Sequence, residues 1–335
     1  MVDHMTLYDT VYALVADEGR ERALLGECGP LAREAFRRSL AGDMFPIVWF
    51  EVPMQGNPRF DLHVALGRED LCAGVEFAEG AGNGYDELFR WYEECETGGA
   101  GLAFAYDVSD GRIEAPAIHV NVNGKALQDP DTFFRIAGGE DAPALYRDFV
   151  GRLPQGWRVW YAGVHPGRPG SPVRVDCFVE DAVQKAYAAD PALLERDLRS
   201  CGFTAVGPGL PQLTKLVCSS EFSLELQFDV MRDGSVGPTL GLSASFPIAV
   251  ASKTRPLFEQ GGAAAELLGS IQGMGLADDR WRQLPGAIFT KLVKLPESTV
   301  VLYNMPTFVK VRMRDGALMD AKLYLQAGAQ ELPKG

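Results

Sequence analysis

No stretch of about 18 consecutive apolar residues occurs in the chain, so no membrane-spanning helix is expected and no membrane partner. The first residues, Met1-Val2-Asp3-His4-Met5, have neither the basic region nor the apolar core of a secretion signal, and a cytoplasmic location is expected. Cysteine is scarce: six in 335 residues, at 28, 72, 95, 177, 201 and 218, with no Cys-x-x-Cys pair. A disulfide framework is therefore not expected, and reduced thiols are. Positive charge is in deficit, 32 Lys and Arg against 45 Asp and Glu, for a formal net charge of −13. Nucleic acid, whose phosphates attract basic surfaces, is not an expected partner. The glycine-rich pieces Gly80 to Gly84 and Gly207-Pro208-Gly209 lack the pattern of a phosphate-binding loop, and Ser243 does not stand in a Gly-x-Ser-x-Gly elbow. Nucleoside-phosphate loops and serine hydrolysis thus find no support.

What the chain does have is alternation. In Thr307 to Met313, Val309, Val311 and Met313 alternate with Phe308, Lys310 and Arg312, and a strand sends these two sets to opposite faces. After Arg314-Asp315-Gly316 the segment Leu318 to Gln326 repeats the pattern, with Met319, Ala321, Leu323 and Leu325 against Asp320, Lys322, Tyr324 and Gln326. One face is apolar and the other carries charge. The same hairpin recurs, beginning near residues 45, 101, 157, 221 and 299 and running to about 66, 122, 180, 246 and 326. Segments of helical pattern separate the hairpins: 7 to 40, Tyr85 to Glu96, 130 to 152 with a break at Gly138-Gly139, Ala182 to Cys201, and 254 to about 289.

Five hairpins supply ten antiparallel strands, each with an apolar face that a helix can cover. The simplest arrangement that buries these faces and leaves no open edge is a closed ten-stranded α+β barrel over residues 1–335, ringed by helices around a solvated lumen. The alternative is an α+β fold with one open sheet, or two smaller domains.

The order of elements resembles that of the ABBA, or PT-barrel, prenyltransferases, whose five ααββ repeats enclose a reaction chamber. The segment Gly163-Val164-His165 through Arg174-Val175-Asp176 is similar in outline to the middle hairpin of cyanobactin-type peptide prenyltransferases. The resemblance implies transfer of a dimethylallyl or longer prenyl group from its diphosphate to an aromatic small molecule or a peptide side chain, in natural-product biosynthesis. It implies no required cofactor, although Mg²⁺ beside the diphosphate is compatible with it. On this reading Arg174, Lys310, Arg312, Lys322 and the Tyr324 hydroxyl hold the diphosphate, and Trp49, Trp160, Phe178 and Phe308 shield the allyl cation. Glu51 occupies the place where indole-prenylating members keep the carboxylate that takes the acceptor's proton.

The chain departs from those members in its inward acids and histidines. Asp61, His63, His119, Glu225 and Asp229 stand where the resemblance leads one to expect further Arg, Lys and Tyr, and they are candidates for touching the acceptor. Such acidity suggests either Mg²⁺ held by Asp176 or Asp229 or a cationic acceptor. Structural alternatives stand beside each assignment. Lys310, Arg312 and Lys322 can serve only to pair with Asp229, Asp320 and Glu225, and Glu51 can be one more such partner. His63, His119 and His165 with Asp61 would make a metal site only if their strands adjoin. The competing functions are a non-catalytic binder of a zwitterionic ligand or peptide, and a non-prenyl peptide-modifying enzyme using His63, His119 or Glu51 as acid and base.

Overall fold

The structure is a computed structural model and describes residues 47–56, 61–66, 84–94, 101–109, 112–113, 116–122, 129–166, 170, 172–247, 250–294 and 299–332. The helical stretches expected before the first hairpin, and Cys28, Cys72 and Cys95, lie outside these residues.

The strands are β1 (Ile47–Pro53), β2 (Asp61–Leu66), β3 (Leu102–Tyr106), β4 (Val108–Ser109), β5 (Arg112–Ile113), β6 (Ala117–Asn121), β7 (Trp157–Val164), β8 (Val173–Val179), β9 (Ser223–Val230), β10 (Val236–Ser245), β11 (Phe289–Lys294), β12 (Thr299–Arg314) and β13 (Ala317–Leu332). Each neighbour in the series β10-β9-β8-β7-β6-β3-β2-β1-β13-β12 is hydrogen-bonded antiparallel, and β12 pairs back onto β10. The ring is therefore a closed ten-stranded antiparallel barrel, as expected. The short β4 and β5 form a separate two-stranded ladder at the tip of the second hairpin, and β11 adds an outer strand beside β12.

Closure depends on β12 serving two neighbours. Residues 299–304 pair with β11, and residues 308–314 pair with β10. Between them the register with β13 slips at Thr307, which follows Pro306. A proline supplies no ladder N–H and a bulge bends its strand, so this is where β12 changes partner. The Thr307 carbonyl accepts from Phe246 N at 2.7 Å, which fastens the bend to the end of β10. At the far end of the hairpin the chain reverses at Asp315 (φ 50°) and Gly316 (φ 78°), the two left-handed positions that a tight two-residue turn requires.

Helices cover the apolar faces of the strands: α1 (Gly84–Glu94), α2 (Pro130–Gly138), α3 (Ala142–Val150), α4 (Asp181–Ala189), α5 (Ala192–Ser200), α6 (Gly209–Cys218), α7 (Ala251–Phe258), α8 (Ala263–Gly273) and α9 (Leu284–Ala287). In α2, Asp129 caps the Thr132 N–H and Pro130 opens the first turn, which orients Phe133 and Phe134 into the core. Phe149 from α3 packs on Phe228 of β9 with ring centroids 5.2 Å apart, and Phe258 from α7 packs on Phe246 at 4.9 Å. Cys177, Cys201 and Cys218 are free thiols buried in this layer.

The inserts are not uniform pairs. Three helices stand between β8 and β9, and residues 209–214 of the stretch 203–214, which reads from the sequence as a loop, belong to α6. The helical stretch expected from 254 to about 289 is broken into α7, α8, a 3₁₀ turn at Asp279–Gln283 and α9, and the chain then enters β11.

The outward and inward faces differ sharply in access. On β9, Leu224, Leu226, Phe228 and Val230 are fully covered by helices, whereas the inward Glu225, Gln227 and Asp229 between them are only partly buried. Strand β8 alternates in the same way. Ordinary barrels fill their interior with apolar side chains, and here the apolar layer lies outside the wall.

Candidate active site

The cross-strand register brings most of the expected residues together. Reading across the wall, Phe308 of β12 faces Tyr324 of β13, which faces Glu51 of β1, which faces Asp61 of β2. Lys322 donates to Glu51 Oε1 and, at 3.0 Å, to Asp61 Oδ2. The Tyr324 hydroxyl also donates to Glu51, and His63 Nε2 lies 3.2 Å from the same carboxylate. Burial alone would raise the Glu51 carboxyl, but Lys322, the His63 hydrogen bond and the more distant Lys310 hold it well below the usual carboxylate range. Asp61 moves the other way: burial and the neighbouring Glu51 charge raise it despite Lys322.

A second cluster lines β8 and β9. Arg174 makes a bidentate pair with Asp229 at 2.8 and 3.1 Å. Beside it Gln227 donates to Asp176 at 2.6 Å and accepts from Lys310 Nζ at 3.2 Å. Burial raises the Asp176 carboxyl, with Lys310 and Arg174 opposing. Glu225 accepts from the Ser245 hydroxyl, and burial pushes its carboxyl up to about 7. At the turn end of the last hairpin, Arg312 pairs with Asp320 at 2.7 and 2.5 Å.

Lys310 links the two clusters. Its stem crosses Gly241 so closely that a Cβ there would meet Lys310 Cδ at 3.1 Å. Its amine stands 4.6 Å from the centroid of Tyr324, whose ring stacks on Phe308 at 3.8 Å. Of the four inward cations it alone has no carboxylate at ion-pair distance among the described residues. Burial lowers its ammonium to about 8, against the pull of Glu51 and Asp176.

The remaining expected residues lie around these clusters. Phe178 packs edge-on to Trp160 at 5.0 Å and is in register with Glu225. Trp49 is half-buried between His63 and Gln326 in register. His119 lies 6.1 Å from His63 and 5.3 Å from His165, ring centre to ring centre. Gly163 is what admits His119, because a Cβ at 163 would stand 2.6 Å from the ring and 2.5 Å from the Ile118 carbonyl. Asp229 is turned to Arg174 and Asp176 to Gln227, and among the described residues no group of three or more His, Cys, Asp or Glu is placed to hold a metal ion.

One inward residue escapes simple alternation. The register between β7 and β8 slips at Trp160, so that Tyr161, and not its neighbour, stands opposite Asp176 and Asn121. Burial raises the Tyr161 hydroxyl to about 12. A two-residue period has no mark for this bulge, and every side chain beyond it changes face.

No family model matches the sequence, and no curated protein matches it. Among solved structures the chain is similar to AnaPT from Neosartorya fischeri, with 13% identity over 86% of this chain and 79% of that one, at a TM-score of 0.48. On the strength of its own strand order, its closure through β12 and β10 and its outer layer of helices, the architecture is that of the PT-barrel.

Proposed function

We propose that the chain is a prenyltransferase that takes a prenyl diphosphate into the barrel and passes its allyl group to an aromatic or peptide acceptor. The observation that carries this reading is Lys310, a buried cation without a carboxylate partner among the described residues, set against the Phe308–Tyr324 stack. A leaving diphosphate needs fixed positive charge, and an allyl cation is stabilised by aromatic faces. The lumen places both within one residue's reach.

The acids of the lumen fit this chemistry if they change state on binding. Among the described residues the inward cations Arg174, Lys310, Arg312 and Lys322 are outnumbered by the carboxylates Glu51, Asp61, Asp176, Glu225, Asp229 and Asp320, and Asp107 adds its charge beside Asp61. Burial raises Asp61, Asp176 and Glu225, so these three can take up protons as the diphosphate enters. Mg²⁺ arriving with the diphosphate would serve the same end.

A binder of a zwitterionic or cationic ligand is the second reading. It is favoured by the pairing of Arg174, Arg312 and Lys322 with carboxylates. Incubation with dimethylallyl, geranyl, farnesyl and geranylgeranyl diphosphates, with and without Mg²⁺, separates the two. Release of diphosphate that falls at least tenfold in Lys310→Met supports transfer; no release at any chain length supports the binder.

A further inference from the structure

Glu51 stands where the resemblance places a proton acceptor, yet its surroundings suit a different task. Lys322 Nζ, the Tyr324 hydroxyl and His63 Nε2 all converge on its carboxylate. The Lys322 ammonium and the Tyr324 hydroxyl keep this carboxylate ionised and take up part of its capacity to accept. An ionised carboxylate only accepts hydrogen bonds, so the hydrogen of a neutral His63 is fixed on Nε2 and the lone pair is left on Nδ1.

His63 also has access. Its side chain is 24% exposed, against 11% for Glu51. Its neighbour in register on β3 is Ala105, too small to fill the space beside the ring. The groups that meet the ring are Glu51 from β1, Tyr324 from β13 and His119 from β6, with Trp49 beside it in register on β1.

We propose that His63 is the catalytic residue that takes the acceptor's proton, and that Glu51 is the positioning residue that sets its tautomer; this rests on the prenyl-transfer reading. In the step, the C1–O bond of the prenyl diphosphate breaks and its electron pair leaves with the diphosphate. The acceptor's nucleophilic atom forms the new bond to C1, and the proton it then loses passes to His63 Nδ1. Glu51 balances the imidazolium until that proton returns to water.

Nitrogen-15 imidazole NMR on the full chain at pH 8 tests the assignment without an acceptor, with His63 identified by the signal missing in His63→Gln. The expected result is a protonated Nε2 and a bare Nδ1; a hydrogen on Nδ1, alone or with Nε2 protonated as well, overturns the proposal. In Glu51→Gln the preference for Nε2–H should weaken, which a merely structural Glu51 would not cause. Transfer from dimethylallyl diphosphate is then measured with tyrosine, tryptophan and arginine, free and in short peptides. Wherever the wild type transfers, His63→Gln and His63→Asn should lower kcat by about 100-fold or more and leave binding of dimethylallyl S-thiolodiphosphate within about twofold. Retention of wild-type kcat in either variant overturns the base role. A wild type that does not bind the thiolodiphosphate sinks the prenyl reading instead, whatever the tautomer of His63.

Discussion

Arg174 and Asp229 show how the lumen treats its charges. Each is largely screened from water and each presents its full hydrogen-bonding edge to the other. Removing one partner strands the other, whereas removing both removes the problem. Arg174→Met should therefore cost about 3 kcal/mol in urea unfolding, and Arg174→Met combined with Asp229→Leu should recover most of that loss. Glu225 predicts a pH effect. Its folded carboxyl sits near 7 and its ordinary value is 4.5, so the native state holds more protons than the unfolded chain between these values. Stability should fall as pH rises through that window, with Asp61 and Asp176 adding in the same direction. Glu225→Gln keeps an acceptor for the Ser245 hydroxyl and removes the titration. It should flatten the slope and gain on the order of 2 kcal/mol at pH 8, as read from unfolding at pH 5 and pH 8; an unchanged slope would deny that Glu225 titrates there.

At the scale of elements, the barrel wall is held in place by a few backbone irregularities. Gly163 of β7 lies against the Ile118 carbonyl and the His119 ring, neither of which can move without disturbing β6. Gly163→Ala should cost about 1–3 kcal/mol through overpacking, measured by denaturant unfolding, and should displace the His119 signals in NMR. These irregularities also mark where the sequence stopped being legible. The apolar and charged faces of β8 and β9, and of β12 and β13 around Lys310 and Lys322, could be read from their alternation, because nothing interrupts the period there. The bulge at Trp160 hid Tyr161. The slip between Arg312 and Met313 leaves Met319 unpaired and 41% exposed, although alternation assigned it to the covered face. Helix α6 was lost behind Gly207-Pro208-Gly209, where turn-forming residues happen to open a helix. The ion pairs were out of reach for a simpler reason. Lys322 and Asp61 are 261 positions apart in the chain, and only closure of the ring makes them neighbours.

For the whole molecule, a net negative charge and a lumen in which the other inward cations are paired make one position decisive. The chain carries a net −13, so a diphosphate approaches against the overall field and must be held by local cations. Arg174, Arg312 and Lys322 already have carboxylates, which leaves Lys310 as the anchor on which the account turns. Because its ammonium loses its proton above about 8 in the free protein, affinity for an anion should decline by about tenfold per pH unit beyond that point. The most direct measurement is isothermal titration of dimethylallyl S-thiolodiphosphate into the full chain at pH 7 and pH 9, for the wild type and Lys310→Met. The account predicts binding by the wild type that weakens about tenfold at pH 9 and is lost at both pH values in Lys310→Met. Binding that ignores both pH and the substitution, or no binding by the wild type at pH 7, would contradict it.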